Sequence, residues 1–138
     1  MSDIGAAGRA TVTVMVCITC RAATHPADAP DADAPRAGLA LAEATAAAAA
    51  SAPDISVKRI RCLCNCSRGL SAAIRCDDAW TYVFGGLEPT RDGPSLIVGA
   101  RLLAQAEDGI MPWRGRPESL KRGLIARVPP ANFREESP

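Results

Sequence analysis

The chain switches repeatedly between stretches that need burial and stretches that cannot pack. "TVTVMVC", residues 11 to 17, is β-branched and apolar on both faces at its centre, which predicts a strand covered on both sides in an open sheet. "AATHPADAPDADAPRAG", residues 22 to 38, has no hydrophobic period and three prolines, and predicts an exposed, mobile loop. "LALAEATAAAAASA", residues 39 to 52, has high helix propensity and stops at Pro53. In "ISVKRIRC", residues 55 to 62, Ile55 and Val57 alternate in one phase and Ile60 and Cys62 in the other, so a strand with a bulge is expected. "LSAAIRC" and "WTYVFGG", joined through Asp77 and Asp78, read as a hairpin with a two-residue polar turn. Ala72, Ile74 and Cys76 then share one face of its first arm, and Trp80, Tyr82 and Phe84 one face of its second. "PSLIVGARLLAQAEDG", residues 94 to 109, is a second helix with Ser95 as N-cap and Gly109 as its stop. A short helix is expected to start near Pro117, and the pattern does not place the segment after it.

The order strand, helix, strand, cysteine loop, strand, strand, helix predicts an α/β chain with a mixed sheet of the α+β kind. Its βαβ unit forms a right-handed parallel pair and the hairpin adds antiparallel strands. This arrangement resembles a thioredoxin-like fold, βα-β-loop-ββα, in which a cysteine loop replaces the middle helix. One domain is expected over residues 11–130, with flexible tails at 1–10 and 131–138 and a low-complexity insert at 22–37, since 138 residues suit a single core.

Composition changes this picture in two places. Apolar residues make up 48% of the chain but aromatic ones only 4%, so the core should be small and aliphatic. The net charge of +1 is uneven: residues 1 to 54 carry three Arg against six acids, and the remainder thirteen Lys/Arg against nine. No apolar run approaches the roughly 20 residues of a membrane helix, and the first residues lack a leader pattern, so a cytoplasmic protein with no membrane partner is expected. Six cysteines in a reducing compartment then point to metal binding or redox chemistry rather than structural disulfides.

Five of those cysteines fall in two tight groups, Cys17 and Cys20 in "VMVCITCR" and Cys62, Cys64 and Cys66 in "RCLCNCSRGL". Cys17 ends the first strand and Cys62 the second, so in a parallel pair both groups reach the same sheet edge, where open α/β sheets bind ligands. The candidate ligands are Cys17 and Cys20 from one loop and Cys62 and Cys66 from the other. Three chemistries suit them. A [2Fe-2S] cluster needs four thiolates, two per iron. A single zinc also takes four thiolates, although two Cys-x2-Cys knuckles are its more usual pattern. A thioredoxin-type dithiol oxidoreductase would use Cys17 and Cys20, placed after a strand as such motifs are.

"VCITCR", "RCLCNCSRGL", "WTYVFGGLEP" and "GIMPWRGRPESLKRGLIARVPP" together resemble a family of small predicted metal-binding proteins of unknown function, often associated with cobalamin-synthesis genes. These are in turn similar to the thioredoxin-like [2Fe-2S] ferredoxins. The resemblance implies a [2Fe-2S] cluster on Cys17, Cys20, Cys62 and Cys66, one-electron transfer to an unidentified redox protein, a homodimer, and a role near cobalt or cobalamin metabolism. The ferredoxins usually space their first two cysteines much further apart than Cys17 and Cys20. Cys64 and Cys76 have no counterpart in their pattern, and Cys64 is a substitute ligand candidate. The alternative within the same site is zinc or cobalt, in a carrier or structural module.

Around the cysteines, Ser67, Arg68 and Gly69 are candidate backbone N–H donors to cluster sulfurs, with Gly69 allowing a turn that other residues resist. Arg59, Arg61, Arg68 and Arg75 form a candidate basic rim for an acidic partner. His25 reads as a loop residue. Trp80, Tyr82 and Phe84 read as a packed face rather than a nucleic-acid platform, because no basic residues interleave with them. Nothing matches a nucleophile with its base, a carboxylate pair or a phosphate loop.

Overall fold

The computed structural model describes residues 11–19 and 37–138. The tail 1–10, Cys20, His25 and nearly all of the insert lie outside the described residues, as does the side chain of Cys66. In chain order the elements are β1 (Val12–Cys17), α1 (Ala37–Ala49), β2 (Ile55–Ile60), a 3-10 turn (Cys66–Arg68), β3 (Ala72–Arg75), β4 (Thr81–Phe84), α2 (Asp92–Gln105), α3 (Glu118–Arg122) and β5 (Leu124–Val128). The sheet order is β2-β1-β3-β4-β5, with β1 and β2 parallel and every other pair antiparallel. This is the mixed sheet expected of the thioredoxin-like pattern, extended by α3 and β5.

Alternation in β1 decides where the helices sit. Val12, Val14 and Val16 are fully buried, whereas Thr13 and Met15 on the other face are half-buried. Strand pairing extends the buried face through Ala72, Ile74, Tyr82 and Phe84. α1 and α2 pack against each other and against β1, and Gly99 of α2 lies over Ile74. Both helices therefore cover one face. This corrects the expectation that β1 is fully covered on both sides: its apolar run fits a strand with one sealed face and one partly shielded. The helices approach closely because Gly93 has no side chain, and a Cβ there would meet the backbone of Ala44 at 2.7 Å.

Several boundaries differ from the sequence pattern for local reasons. β2 pairs with β1 in continuous register from Val12↔Ile55 to Cys17↔Ile60, without the expected bulge. As an edge strand it exposes Lys58 and Arg59, so its phase change has no packed neighbour to resolve. The irregularity lies instead between β4 and β5, at Val83 and Phe84. The strands end at Arg75 and resume at Thr81, so five residues connect them, with Asp77 and Asp78 at the centre of the turn. Ala79 N–H donates to the Cys76 carbonyl at 3.2 Å, and Asp78 takes φ 64, which Asp tolerates better than most residues. Ser95 is not the N-cap of α2; the helix starts three residues earlier, where Glu88 N–H donates to Asp92 Oδ2 at 2.8 Å.

The segment after α2 is held by two polar anchors that the hydrophobic pattern does not reveal. Tyr82 Oη accepts the buried Met111 N–H at 2.9 Å. Arg116 is 7% exposed and donates to the carbonyls of Met111 at 2.6 Å, Pro112 at 3.3 Å and Leu120 at 3.4 Å, while its guanidinium lies 5.6 Å from the Tyr82 ring centre. Tyr82→Phe should therefore destabilise the fold by about 1–3 kcal/mol, because it leaves the Met111 N–H buried and unpaired. Denaturant unfolding checks this, and an unchanged midpoint would show that the contact contributes nothing. β5 was not expected because its burial falls from intermediate to exposed along LIARV, without an alternating apolar face. After it, Phe133 stacks edge-on against Trp80 at 5.5 Å, and Arg127 lies 4.0 Å above the Trp80 ring.

Candidate metal centre

The two cysteine loops meet because β1 and β2 are parallel and end together, Cys17 pairing in register with Ile60. Beyond that pair the ends are tied: Ile18 N–H donates to the Ile60 carbonyl at 2.9 Å, the Cys17 thiol to the Arg61 carbonyl at 3.3 Å, and the Thr19 hydroxyl to that same carbonyl. Cys17 N–H reaches the Ser71 carbonyl at 3.1 Å, which anchors the far side of the cysteine loop to the same strand. Cys17 is 1% exposed, whereas Cys62 and Cys64 are exposed.

Within the loop, Cys64 N–H donates to Cys62 Sγ at 3.2 Å, and Cys64 takes φ 58. The Cys64 thiol is held above its ordinary pKa, first by a hydrogen bond with the Cys62 thiol and then by the charges of Cys62 and Cys17. Cys17, Cys62 and Cys64 thus share one electrostatic neighbourhood. Among the described residues no three His, Cys, Asp or Glu side chains are grouped to hold a metal ion. Two of the expected ligand side chains, those of Cys20 and Cys66, fall outside them. The donor chemistry fits a thiolate-held centre: one shielded and two accessible thiols stand where the two strands end.

Asn65 positions the turn that carries Cys66, a role that the sequence pattern does not announce. Its Nδ2 donates to Ser71 Oγ at 2.9 Å, and Ser71 is fully buried. Its carbonyl accepts Arg68 N–H at 3.0 Å, closing the 3-10 turn. The Arg68 carbonyl in turn accepts Gly86 N–H at 2.7 Å, which seats the loop on the end of β4. Of the expected backbone donors, Arg68 therefore already has a protein acceptor. Gly69 has φ −68, a value open to any residue, so the turn does not require glycine there; the positive φ falls at Cys64 instead. An Asn between two cysteines is the only signal in the sequence for this clamp.

Topology also separates residues that are near one another in sequence. β3 runs antiparallel to β1, so Arg75 pairs with Thr13, four residues back along β1 from Cys17. At about 3.3 Å per residue that is roughly 13 Å from the cysteine edge. Arg75 leaves the basic rim, and Cys76, 4% exposed, leaves the thiol group for the same reason. Arg59, Arg61 and Arg68 are exposed on the cysteine side.

No curated protein matches the chain. A solved thioredoxin-like [2Fe-2S] ferredoxin from Aquifex aeolicus superposes with a TM-score of 0.54 at 17% identity, covering 90% of this chain and 99% of that one. At that identity the likeness establishes the fold, which is thioredoxin-like. The family model for proteins of unknown function DUF1636 matches residues 14–130, from β1 through both cysteine groups to the segment after β5, and the chain belongs to that family.

Proposed function

We propose that the protein is a one-electron carrier whose Cys17, Cys20, Cys62 and Cys66 hold one [2Fe-2S] cluster. The observation that carries this reading is the tie between the two strand ends, where the Cys17 thiol meets the Arg61 carbonyl at 3.3 Å, one residue before Cys62. When bound, the cluster supplies reversible uptake of a single electron. The chain's part is to shield the Cys17 side of the site, hold the Cys66 turn through Asn65, and surround the edge with positive charge. The burial of Cys17 weighs against a dithiol oxidoreductase, which needs an attacking thiolate within reach of its substrate. Cobalt or cobalamin metabolism is the setting that the family resemblance suggests for this carrier.

One observation favours a second reading. Cys64 sits against Cys62, offering a tighter thiol group than a two-iron centre needs, and this suits a single zinc or cobalt ion. Anaerobic purification with metal and sulfide analysis separates the two. About two irons and two acid-labile sulfides per chain support the cluster. A colourless protein with stoichiometric zinc, forming no cluster on reconstitution, overturns it.

The exposed Arg59, Arg61 and Arg68 suit an acidic redox partner. Association with that partner should slow as ionic strength rises, since the screening length falls to about 10 Å at 0.1 M salt. Arg68→Glu should lower both the docking rate and the cluster potential, while the same change at exposed Arg134 should alter neither. Equal behaviour of the two variants in stopped-flow and potentiometric titration would remove the basic rim from the mechanism.

A further inference from the structure

Cys62 and Cys64 differ from Cys17 and Cys76 in being exposed, and the Cys64 N–H lies against the Cys62 sulfur. The 3.2 Å bond from Cys64 N–H to Cys62 Sγ requires the Cys62 side chain to fold back over the next two residues. Cys64 itself adopts φ 58, a left-handed conformation that crowds the Cβ of any residue carrying one. A residue held in that region on an exposed loop calls for a reason beyond packing. This conformation accompanies the placement of the Cys64 backbone N–H against the Cys62 sulfur, across the half-buried Leu63. A four-thiolate centre on Cys17, Cys20, Cys62 and Cys66 gives Cys64 no task.

We propose that Cys62 and Cys64 close into a reversible disulfide in the cluster-free protein, a thiol modification site that withdraws Cys62 from the ligand set under hydroperoxide stress. The disulfide itself needs no metal; its effect on loading rests on the proposed cluster ligation. The Cys62 sulfur, as thiolate, attacks the peroxide O–O bond, takes one oxygen as sulfenic acid and releases the other as hydroxide. The Cys64 sulfur then displaces the sulfenic oxygen, forming the S–S bond. Overall, two thiols and one hydrogen peroxide give one disulfide and two waters. A dithiol reductant supplies the two electrons and two protons that reverse it. An exposed bond across so short a ring belongs to the easily reduced, regulatory class rather than the structural one.

The test uses full-length protein freed of metal, treated with hydrogen peroxide, alkylated and cleaved after Arg61 and Arg68. The peptide of residues 62 to 68 should be two hydrogens lighter, with the alkyl group on Cys66 and no fragmentation between residues 62 and 64. Cys62 linked to Cys66, Cys17 or Cys20, or all three thiols of the peptide alkylated, overturns the proposal. In a second arm, peroxide-treated protein should lose most of its uptake of iron and sulfide and regain it with a dithiol, whereas in Cys64→Ser, where no Cys64 thiol traps the Cys62 sulfenic acid, continued peroxide should carry Cys62 on to sulfinic acid and the loss should persist after the dithiol. A Cys64→Ser protein that takes up no iron even without peroxide would make Cys64 a ligand and end the switch. Failure of the untreated parent to take up iron and sulfide would instead count against the cluster, and peptide mapping would still decide the disulfide.

Discussion

Cys62→Ser is expected to strip the protein of the proposed cluster, reducing retained iron by at least about tenfold, since loss of even an outer partner of a metal ligand costs 10–100-fold in affinity. The serine hydroxyl is a far poorer donor to iron at neutral pH, and Cys62 stands directly beyond the Arg61 carbonyl that ties the two strand ends. Cys17→Ser and Cys66→Ser should match it, and Cys20→Ser should follow if the short Cys-x2-Cys spacing serves the same centre. Cys76→Ser is the internal control. It lies at the opposite end of β3, beside the hairpin turn, and is 4% exposed. Burying a hydroxyl there should lower stability by about 1–3 kcal/mol while iron content stays at the parent level. Iron and sulfide analysis of the anaerobic variants checks the series. A Cys76→Ser protein as poor in iron as Cys62→Ser would move the centre away from the β1/β2 edge.

Gly85→Ala is expected to damage both stability and metal loading although the residue carries no donor. A Cβ at this position would stand 2.5 Å from the Arg68 carbonyl oxygen and 2.8 Å from Asn65 Nδ2. The first of these is backbone, so the turn carrying Cys66 must move away from β4. That displacement strains the Gly86-to-Arg68 bond at 2.7 Å and the Asn65-to-Ser71 clamp at 2.9 Å. Overpacking of this kind costs about 1–3 kcal/mol, and here it falls on the loop that presents three of the thiols. Thermal unfolding and iron content should drop together. Gly86→Ala is the comparison: its φ of 65 is strained for alanine, yet nothing lies within 4 Å of its Cβ, so it should lose stability and keep its metal. Full iron in Gly85→Ala would show that the loop does not need its seat on β4.

Short windows of the sequence determine the elements. The apolar run of β1, the alanine-rich helix and the "WTYVFGG" arm each state their element through propensity and alternation. Parallel pairing follows once a helix joins two strands, and it brings Cys17 and Cys62 to one edge without further information. That is why the thioredoxin-like class and the convergence of the two thiol groups are legible in the sequence alone. The rest depends on contacts between segments distant in the chain. Asn65 locks onto Ser71, Arg116 gathers three carbonyls around Tyr82, and Gly85 leaves room for the Arg68 carbonyl; in each case the partner is chosen by packing, which no local pattern records. Arg75 and Cys76 illustrate the same limit: nine and ten residues past Cys66, they look like neighbours of the site, and the reversal of β3 against β1 carries them to the other end of the sheet.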